Sequence, residues 1–344
     1  MNDDLTKRRS DPAFRARATQ ERDPKETPVL ILHDAPEVYL DKLRERYPEM
    51  PLASCNVAEE LPAVLDKTRP KVVVSFVCKD LKAPVQRRLL ECESVEWIHL
   101  GRAGVDHLLP WDPVKVTVTN SSGILAPFLA ETVMGAILML NGGLHRYIRQ
   151  QIKHVWQNNL WRPLAGQTLL IIGLGNIGKR VAVKAKGMGM RVIGIRNRPQ
   201  KPEEIDELFS MSQLKEALGK ADFVALHMPY TKETYRMIDA AALKAMRPTA
   251  FLINAARGAV VDEAALAAAL SEGEIAGAYL DVFEKEPLPE DSPLWDLENV
   301  VISPHCADVV TDWEERFARF FVDNLDRWLK GTVPANVVDP AQGY

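Results

Sequence analysis

Three residues in the second half of this 344-residue chain could together hold and protonate a small acid. Arg257 follows an apolar run, Glu286 precedes a proline and His305 follows one. A guanidinium can bind a carboxylate through two parallel hydrogen bonds, and an imidazole can give or take a proton near neutral pH. A carboxylate beside the imidazole would orient it and favour its protonated form. Taken one at a time, these residues could equally be surface charges or turn residues.

A glycine-rich turn lies upstream of the three residues. The sequence GLGNIG, residues 173–178, follows an apolar run and opens a helical pattern, which is the context in which such a turn binds a dinucleotide. Gly173 would permit the tight turn, Gly175 would let the backbone approach the pyrophosphate, and Gly178 would let the helix pack on the strand. The helix N-terminus at Asn176 and Ile177 would offer N–H groups to the phosphates. A plain strand-to-helix turn is the alternative.

An arginine stands where the adenosine ribose should be bound. Dinucleotide domains that use NAD carry an Asp or Glu about 20 residues beyond the turn. Here Arg196 stands eighteen residues after Gly178 and is followed by Asn197 and Arg198. A guanidinium pairs with a 2′-phosphate that a carboxylate would repel, so we expect NADP(H) to be preferred and NAD(H) to be the alternative. If these arginines are only solvated surface charges, the discrimination between NADP(H) and NAD(H) is weak.

The elements that must position these residues alternate between short β-branched runs and amphipathic helices. Four strands are predicted between residues 29 and 119 and six between residues 168 and 303, separated by a long apolar helix at Ala126–Leu140 and a polar one at Arg146–Asn158. This alternation is typical of α/β domains with parallel sheets. Residues 1–27 are rich in charge and poor in aliphatic side chains, which predicts a disordered tail.

Composition narrows the class of partner. The net charge of -4 offers no field that favours nucleic acid or an anionic membrane. The four cysteines are scattered without metal-ligand spacing, which predicts a reducing compartment and no metal. No apolar run reaches the roughly 18 residues of a membrane span, and we expect a cytoplasmic protein.

The chain resembles the D-isomer-specific 2-hydroxyacid dehydrogenases, and among them the glyoxylate/hydroxypyruvate reductases, from about residue 29 to its end. Besides the glycine turn, the resemblance depends on several motifs in the family's order. These are AGVD from Ala103, HMP from His227 with Thr234, NAARG from Asn254, LDVFEKEP from Leu280 and PHCA from Pro304.

The resemblance implies two doubly wound parallel-sheet domains with the active site in the cleft between them. A flavodoxin-like substrate domain would comprise residues 28–123 and 308–344, and a Rossmann dinucleotide domain residues 124–307. The family is dimeric, and the apolar helix Ala126–Leu140 is a candidate for the interface of a homodimer.

Individual roles are implied as well. Arg257, Glu286 and His305 match the catalytic residues, and the backbone N–H groups of Ala103 and Gly104 match those that take the substrate carboxylate. Asp281 matches the residue that binds the nicotinamide carboxamide. The other positions that match the cofactor site are His227, Pro229, Thr234, Ala255, His305 and Ala307. The family pattern does not account for Arg102, and its role stays open.

We therefore predict NADPH-preferring reduction of small 2-keto acids, with glyoxylate and hydroxypyruvate foremost, to D-2-hydroxy acids. Formate oxidation is disfavoured because formate dehydrogenases of the superfamily have Gln in place of Glu286. Two alternatives stay open. One is a nucleotide-sensing binding protein of the corepressor type, and the other is a dehydrogenase whose substrate is not a keto acid, such as phosphite.

Overall fold

A computed structural model describes residues 20–76, 80–105, 107–196 and 202–340. Asn197 and Arg198 lie outside the described residues. The chain divides into two compact units, Met1–Ile124 with Thr311–Tyr344, and Leu125–Val310. Both are built on parallel sheets with helices, so the predicted α/β class is confirmed.

The first unit contains a five-stranded parallel sheet in the order β2-β1-β3-β4-β5, the flavodoxin-like order. Four of these strands are buried along their whole length because helices cover both faces. The strands are β1 (Val29–Leu32), β2 (Leu52–Cys55), β3 (Val72–Ser75), β4 (Trp97–Leu100) and β5 (Thr117–Asn120). The helices before the second unit are α1 (Glu37–Arg46), α2 (Leu61–Thr68) and α3 (Ala83–Gln86).

The second unit contains a seven-stranded parallel sheet in the order β12-β11-β10-β9-β6-β7-β8. The order reverses between β6 and β9, which is the switch point of a Rossmann domain. Its strands are β6 (Thr168–Ile172), β7 (Arg191–Ile195), β8 (Glu207–Phe209), β9 (Phe223–Leu226), β10 (Phe251–Asn254), β11 (Gly277–Leu280) and β12 (Val300–Ile302). Its helices are α4 (Ala126–Gly142), α5 (Leu144–Ile152), α6 (Asn176–Gly187), α7 (Leu214–Lys220), α8 (Ala240–Ala245) and α9 (Glu263–Ser271), and α10 (Trp313–Leu329) belongs to the first unit.

Three features of the prediction differ from the structure. The sequence predicts four strands between residues 29 and 119, whereas the structure has five, because β2 is only partly buried and pairs with β1 alone at the sheet edge. The prediction of six strands between residues 168 and 303 is wrong, because the structure has seven. The missed strand is β8, which has only three residues and pairs with β7 alone at the sheet edge. The polar helix predicted to Asn158 ends at Ile152, since His154 takes a left-handed backbone conformation with φ of 55°. The chain beyond it has no regular structure until β6.

The apolar helix α4 packs inside its own unit. Its buried face, which includes Ala130, Val133 and Ile137, belongs to the same hydrophobic core as Val181 and Ala185 of α6. Within the described ranges no single helix is long and apolar enough to cross a membrane. Helices α4 and α5 pass that test only as a pair, and the pair is bent by 64°.

The predicted disordered tail is wrong for its last residues, 20–27. Asp23 caps a 3-10 turn at Pro24–Glu26, and the N–H of Arg22 donates to the carbonyl of Leu329 at 2.9 Å. The guanidinium of Arg22 lies 3.8 Å from the ring centroid of Trp328. Backbone pairing and a cation–π contact with the end of α10 therefore order a segment that has little apolar surface of its own.

Candidate active site

The three residues predicted to act on a substrate lie at the ends of neighbouring strands. Arg257 follows β10, Glu286 stands in the loop after β11, and His305 follows β12. These three strands are adjacent and parallel in the sheet, so their carboxyl ends lie along one edge, where ligands of such sheets bind. The fold therefore brings together residues that are up to 48 positions apart in the chain.

His305 and Glu286 form a direct pair. Nδ1 of the imidazole lies 2.7 Å from Oε2 of the carboxylate, and Oε1 accepts a hydrogen bond from the N–H of Phe283 at 3.0 Å. The carboxylate is thus fixed from both sides, and it holds the proton-bearing Nδ1 of the imidazole. Nε2 makes no hydrogen bond within the described ranges, and the His305 side chain is 49% exposed. That nitrogen can exchange a proton with a bound molecule.

Arg257 is half-buried with its charge largely uncompensated. Nη1 donates to the carbonyl of Ala256 at 2.7 Å, and no carboxylate of the described residues lies within ion-pair distance of the guanidinium. The loop is shaped by Asn254, whose amide group bonds the N–H of Ala256 and the carbonyl of Arg257. A fixed guanidinium with free donors is a site for an anion.

Gly258 joins the loop of Arg257 to the loop of Glu286. A Cβ atom at this position would lie 1.9 Å from the carbonyl carbon of Phe283. Any side chain there would collide with backbone, so glycine is required for the two loops to touch.

The loop that carries His305 is held by a buried carboxylate. Asp281 is 2% exposed; Oδ1 accepts from the Ser303 hydroxyl at 2.5 Å and from the N–H of Cys306 at 2.9 Å, and Oδ2 accepts from the N–H of Ala307 at 3.1 Å. The Tyr279 hydroxyl lies 2.7 Å from the Ser303 hydroxyl. Sequence reasoning missed Ser303 and Tyr279, although Ser303 stands two residues before His305 and could have been noticed for that reason.

The glycine turn forms an open cradle at the end of β6. Gly173 has φ of 101°, and a Cβ there would lie 2.6 Å from the backbone of His227. A Cβ at Gly178 would lie 2.2 Å from the carbonyl oxygen of Gly173, whereas one at Gly175 would meet nothing within 4 Å. The N–H of Gly173 donates to the carbonyl of Ile195 at 3.1 Å, which places Arg196 level with the turn. This space at the N-terminus of α6 fits the phosphates of a dinucleotide.

His227 supplies a second observation at the switch point. Both ring nitrogens are buried and have no hydrogen-bond partner within the described ranges. Burial lowers the pKa of His227 to about 4, so the ring is neutral at pH 7. Unpaired buried polar atoms are costly. In the neutral ring one nitrogen needs an acceptor and the other a donor, and a bound group that carries hydroxyls offers both.

The remaining cofactor candidates lie along the same edge. The Thr234 hydroxyl donates to the carbonyl of Pro229 at 2.9 Å and accepts from the N–H of Thr231 at 2.7 Å, so it shapes its own loop. Ala255 and Ala307 are buried, and Asn176 and Ile177 begin α6.

The predicted carboxylate-binding loop belongs to the first unit. The Asn120 side chain donates to the carbonyl of Ala103 at 2.8 Å, and the N–H of Ser121 donates to the carbonyl of Arg102 at 3.0 Å. The N–H groups of Ala103 and Gly104 donate to no acceptor in the part of the chain that the structure describes.

Comparison with known proteins identifies the family of this chain. A family model described as the NAD-binding domain of D-isomer-specific 2-hydroxyacid dehydrogenases matches residues 134–307. A glyoxylate reductase of Korarchaeum cryptofilum is 33% identical over 322 residues, which are 90% of this chain and 95% of that protein. This chain belongs to the D-isomer-specific 2-hydroxyacid dehydrogenase family.

Two solved structures are similar over nearly the whole chain. An NADPH-dependent glyoxylate/hydroxypyruvate reductase from Sinorhizobium meliloti, in complex with NADP and sulfate, is 27% identical with a TM-score of 0.78, covering 93% of this chain and 100% of that one. A D-isomer-specific 2-hydroxyacid dehydrogenase from Xanthobacter autotrophicus, in complex with NADPH, is 28% identical with a TM-score of 0.78, covering 92% and 99%. The present dehydrogenase is thus an NAD(P)-dependent oxidoreductase that interconverts 2-hydroxy and 2-keto acids.

The Asp281 anchor of this dehydrogenase predicts the effect of a single hydroxyl. Ser303→Ala removes the donor to Oδ1 of Asp281, and we expect a loss of about 1–3 kcal/mol in the free energy of unfolding, measured by urea denaturation. Because the anchored loop loosens, hydrogen exchange at the amides of Cys306 and Ala307 should accelerate by about tenfold.

Ser292→Ala is the matched control. It deletes the same hydroxyl from a 3-10 turn, where the bond to the N–H of Leu294 is 3.4 Å long, and it should cost less than about 1 kcal/mol. Equal losses in the two variants, with unchanged exchange at Cys306 and Ala307, would contradict the anchoring role.

Proposed function

We propose that this dehydrogenase reduces small 2-keto acids, with glyoxylate and hydroxypyruvate foremost, to D-2-hydroxy acids and prefers NADPH. The observation that carries the proposal is the pairing of His305 with Glu286 at the edge where Arg257 presents a guanidinium without a carboxylate partner. These are the three groups that reduction of a keto acid requires: one that holds the carboxylate and two that deliver a proton.

Arg257 binds the substrate in this proposal. Its fork of N–H donors matches a carboxylate and can also reach the carbonyl oxygen, on which negative charge develops during reduction. The backbone N–H groups of Ala103 and Gly104 stay a prediction from the family resemblance, as donors to a substrate carboxylate.

His305 delivers the proton. Glu286 accepts from Nδ1, so Nε2 of the protonated ring can donate to the carbonyl oxygen as it becomes a hydroxyl. Glu286 is itself held by the N–H of Phe283, which fixes the direction of the imidazole. The nicotinamide dinucleotide, when bound, supplies the hydride that C2 receives.

The cofactor preference depends on Arg196. It follows β7 at the level of the glycine turn, where the ribose of a bound dinucleotide would carry its 2′-phosphate. Asn197 and Arg198, which the sequence also predicts for this contact, lie outside the described residues. The structures from Sinorhizobium meliloti and Xanthobacter autotrophicus were solved with NADP and NADPH, which supports NADPH use here. We assign Asp281 to the nicotinamide carboxamide, and His227, Pro229, Thr234, Ala255 and Ala307 to the rest of the cofactor.

The proposed reaction can be tested by steady-state kinetics. Purified enzyme should consume NADPH rapidly with glyoxylate and hydroxypyruvate, and His305→Gln should lower kcat by about 100- to 10,000-fold because the proton donor is gone. NADPH fluorescence serves as the control, since the variant should still bind the cofactor.

Near-normal turnover by His305→Gln would show that the proton comes from another group. Wild-type enzyme that binds NADPH tightly but reduces none of several keto acids would instead favour the nucleotide-sensing alternative or a substrate such as phosphite.

The role of Arg196 in cofactor choice can be tested by reversing its charge. Arg196→Asp replaces a cation that would pair with the 2′-phosphate by an anion that would repel it, so the ratio of kcat/KM for NADPH over NADH should fall by about 10- to 100-fold. Lys244→Asp makes the same charge change at an exposed position on α8 and should leave the ratio unchanged. An unchanged ratio in Arg196→Asp would remove the 2′-phosphate assignment.

We also propose a homodimer, and we extend the candidate interface from α4 to α5 and the chain after it. Helix α4 buries one face in its own core and leaves Leu138 44% exposed, and α5 and the chain after it expose further large apolar side chains. Ile148 is 55% exposed, Ile152 76%, Trp156 104% and Leu160 102%. Apolar side chains so close together in sequence and so exposed indicate a protein interface, and a second copy of the chain would cover them.

A single charge should separate the copies. Ile148→Asp places a carboxylate in the apolar surface, and sedimentation velocity should then show a particle of half the wild-type mass. Val114→Asp, at a 44% exposed position of the first unit, should leave the mass unchanged. A wild-type protein that sediments as a monomer at micromolar concentration would overturn the proposal.

A further inference from the structure

An arginine that the proposed function does not use lies between two loops of the site. Arg236 follows the loop of Thr234, and its guanidinium binds the Glu284 carboxylate through two hydrogen bonds, from Nε to Oε1 at 3.1 Å and from Nη2 to Oε2 at 3.2 Å. A pair of this kind fixes the orientation of the two groups as well as their distance. Glu284 stands two residues before Glu286, so the arginine contacts the turn that carries the partner of His305.

The same arginine is joined to the loop of Arg257. Its N–H donates to the carbonyl of Ala259 at 2.9 Å, and its Nη1 lies 3.6 Å from Oδ2 of Asp262. The pairing continues two residues later, where the N–H of Ile238 donates to the carbonyl of Val260 at 3.1 Å. One residue therefore bonds to both loops that carry the proposed catalytic groups.

The backbone conformation of Arg236 is one that glycine adopts more easily. Its φ is 46°, in the left-handed region that is unfavourable for a residue with a side chain. Other residues persist there when surrounding contacts outweigh the cost. At Arg236 those contacts include the ion pairs with Glu284 and Asp262.

The turn at residues 283–286 needs bonds from outside to hold its place. The N–H of Phe283 donates to Oε1 of Glu286 at 3.0 Å, but this bond lies within the turn and cannot fix the turn against the rest of the site. Oε2 of Glu263 accepts from the N–H of Glu284 at 3.0 Å, and this bond holds the backbone. The Arg236 guanidinium holds the adjacent side chain and connects it to the neighbouring loop.

We propose that Arg236 is a positioning residue for proton transfer, which acts through Glu284 to hold the turn of Glu286 against the loop of Arg257. This inference rests on the proposed function, because it takes Glu286 and His305 as the groups that deliver the proton. Oε2 of Glu286 lies 2.7 Å from Nδ1 of the imidazole, so a displaced turn would change the direction of Nε2. A misplacement of about 1 Å can slow a reaction by about 100-fold.

Cofactor affinity should not depend on the guanidinium of Arg236. The Thr234 hydroxyl donates to the carbonyl of Pro229 and accepts from the N–H of Thr231, and both bonds lie within their own loop. Loss of the arginine side chain leaves them in place. We therefore expect kcat to fall while the affinity for NADPH is kept, whereas a residue that only stabilised the fold would affect neither quantity in the folded enzyme.

Kinetics with glyoxylate and NADPH test the role of Arg236. Arg236→Gly removes the guanidinium and supplies the residue that suits the left-handed backbone, and Glu284→Ala removes its partner. Each should lower kcat by about tenfold and leave the Kd for NADPH within about twofold of wild type. Arg236→Lys keeps the charge and should recover part of the loss. The variant that combines Arg236→Gly with Glu284→Ala should be no slower than either single variant, because both changes remove the same ion pair.

Glu207→Ala is the matched control. Glu207 pairs with Arg191 and Lys220 on β8, at the opposite end of the strand order from β12. Its side chain is 34% exposed, against 31% for Glu284. Loss of this pair should leave kcat within about twofold of wild type.

The outcomes are distinguishable. NADPH binding identifies folded variants, and Glu284→Ala decides if Arg236→Gly does not fold. A kcat within about twofold of wild type in the folded variants, with keto acids still reduced, would overturn the role of Arg236 alone. Losses that add in the combined variant would overturn it as well, because the arginine would not act through Glu284. A wild-type enzyme that reduces no keto acid would overturn the proposed function and this inference with it.

Discussion

The Asp281 carboxylate is the fixed point on which the geometry of the second unit's site depends. It is buried without a basic partner among the described residues, so hydrogen bonds must compensate the cost of its desolvation. Ser303, Cys306 and Ala307 supply them, while the Asp281 carbonyl accepts from the N–H of His305 at 2.8 Å. These bonds tie the loop after β12 to the end of β11, and the direction of the imidazole follows from them.

The register of the parallel sheet aligns the other loops of the site with the loop that Asp281 holds. Asn254 pairs in register with Leu226, and Leu226 with Ile172, so the glycine turn, His227 and the Arg257 loop all begin at the same level. A dinucleotide held at the switch point and an acid held by Arg257 would then lie along one line of strand ends. The sheet, rather than any one loop, provides that alignment.

Much of this could be predicted from the sequence because the signals were local. Helix α4 begins at the predicted Ala126, and β6 begins at the predicted residue 168, since apolar runs mark both and the glycine turn follows β6. Signals that depend on distant partners were missed. Residues 20–27 are ordered by the end of α10, and β8 exists because β7 offers a free edge. The proposed roles of Arg257, Glu286 and His305 came from residue types and the family resemblance, whereas the bonds that hold the His305 loop on Asp281 appear only in three dimensions.

Gly258 is a position at which only glycine fits. Because the backbone of Phe283 occupies the space where a side chain would stand, the loop of Arg257 and the loop of Glu286 are sterically interlocked. A substitution that enlarged Gly258 would disturb both groups at once. A mutational library for altered specificity would therefore keep glycine at 258 and vary residues outside these two loops.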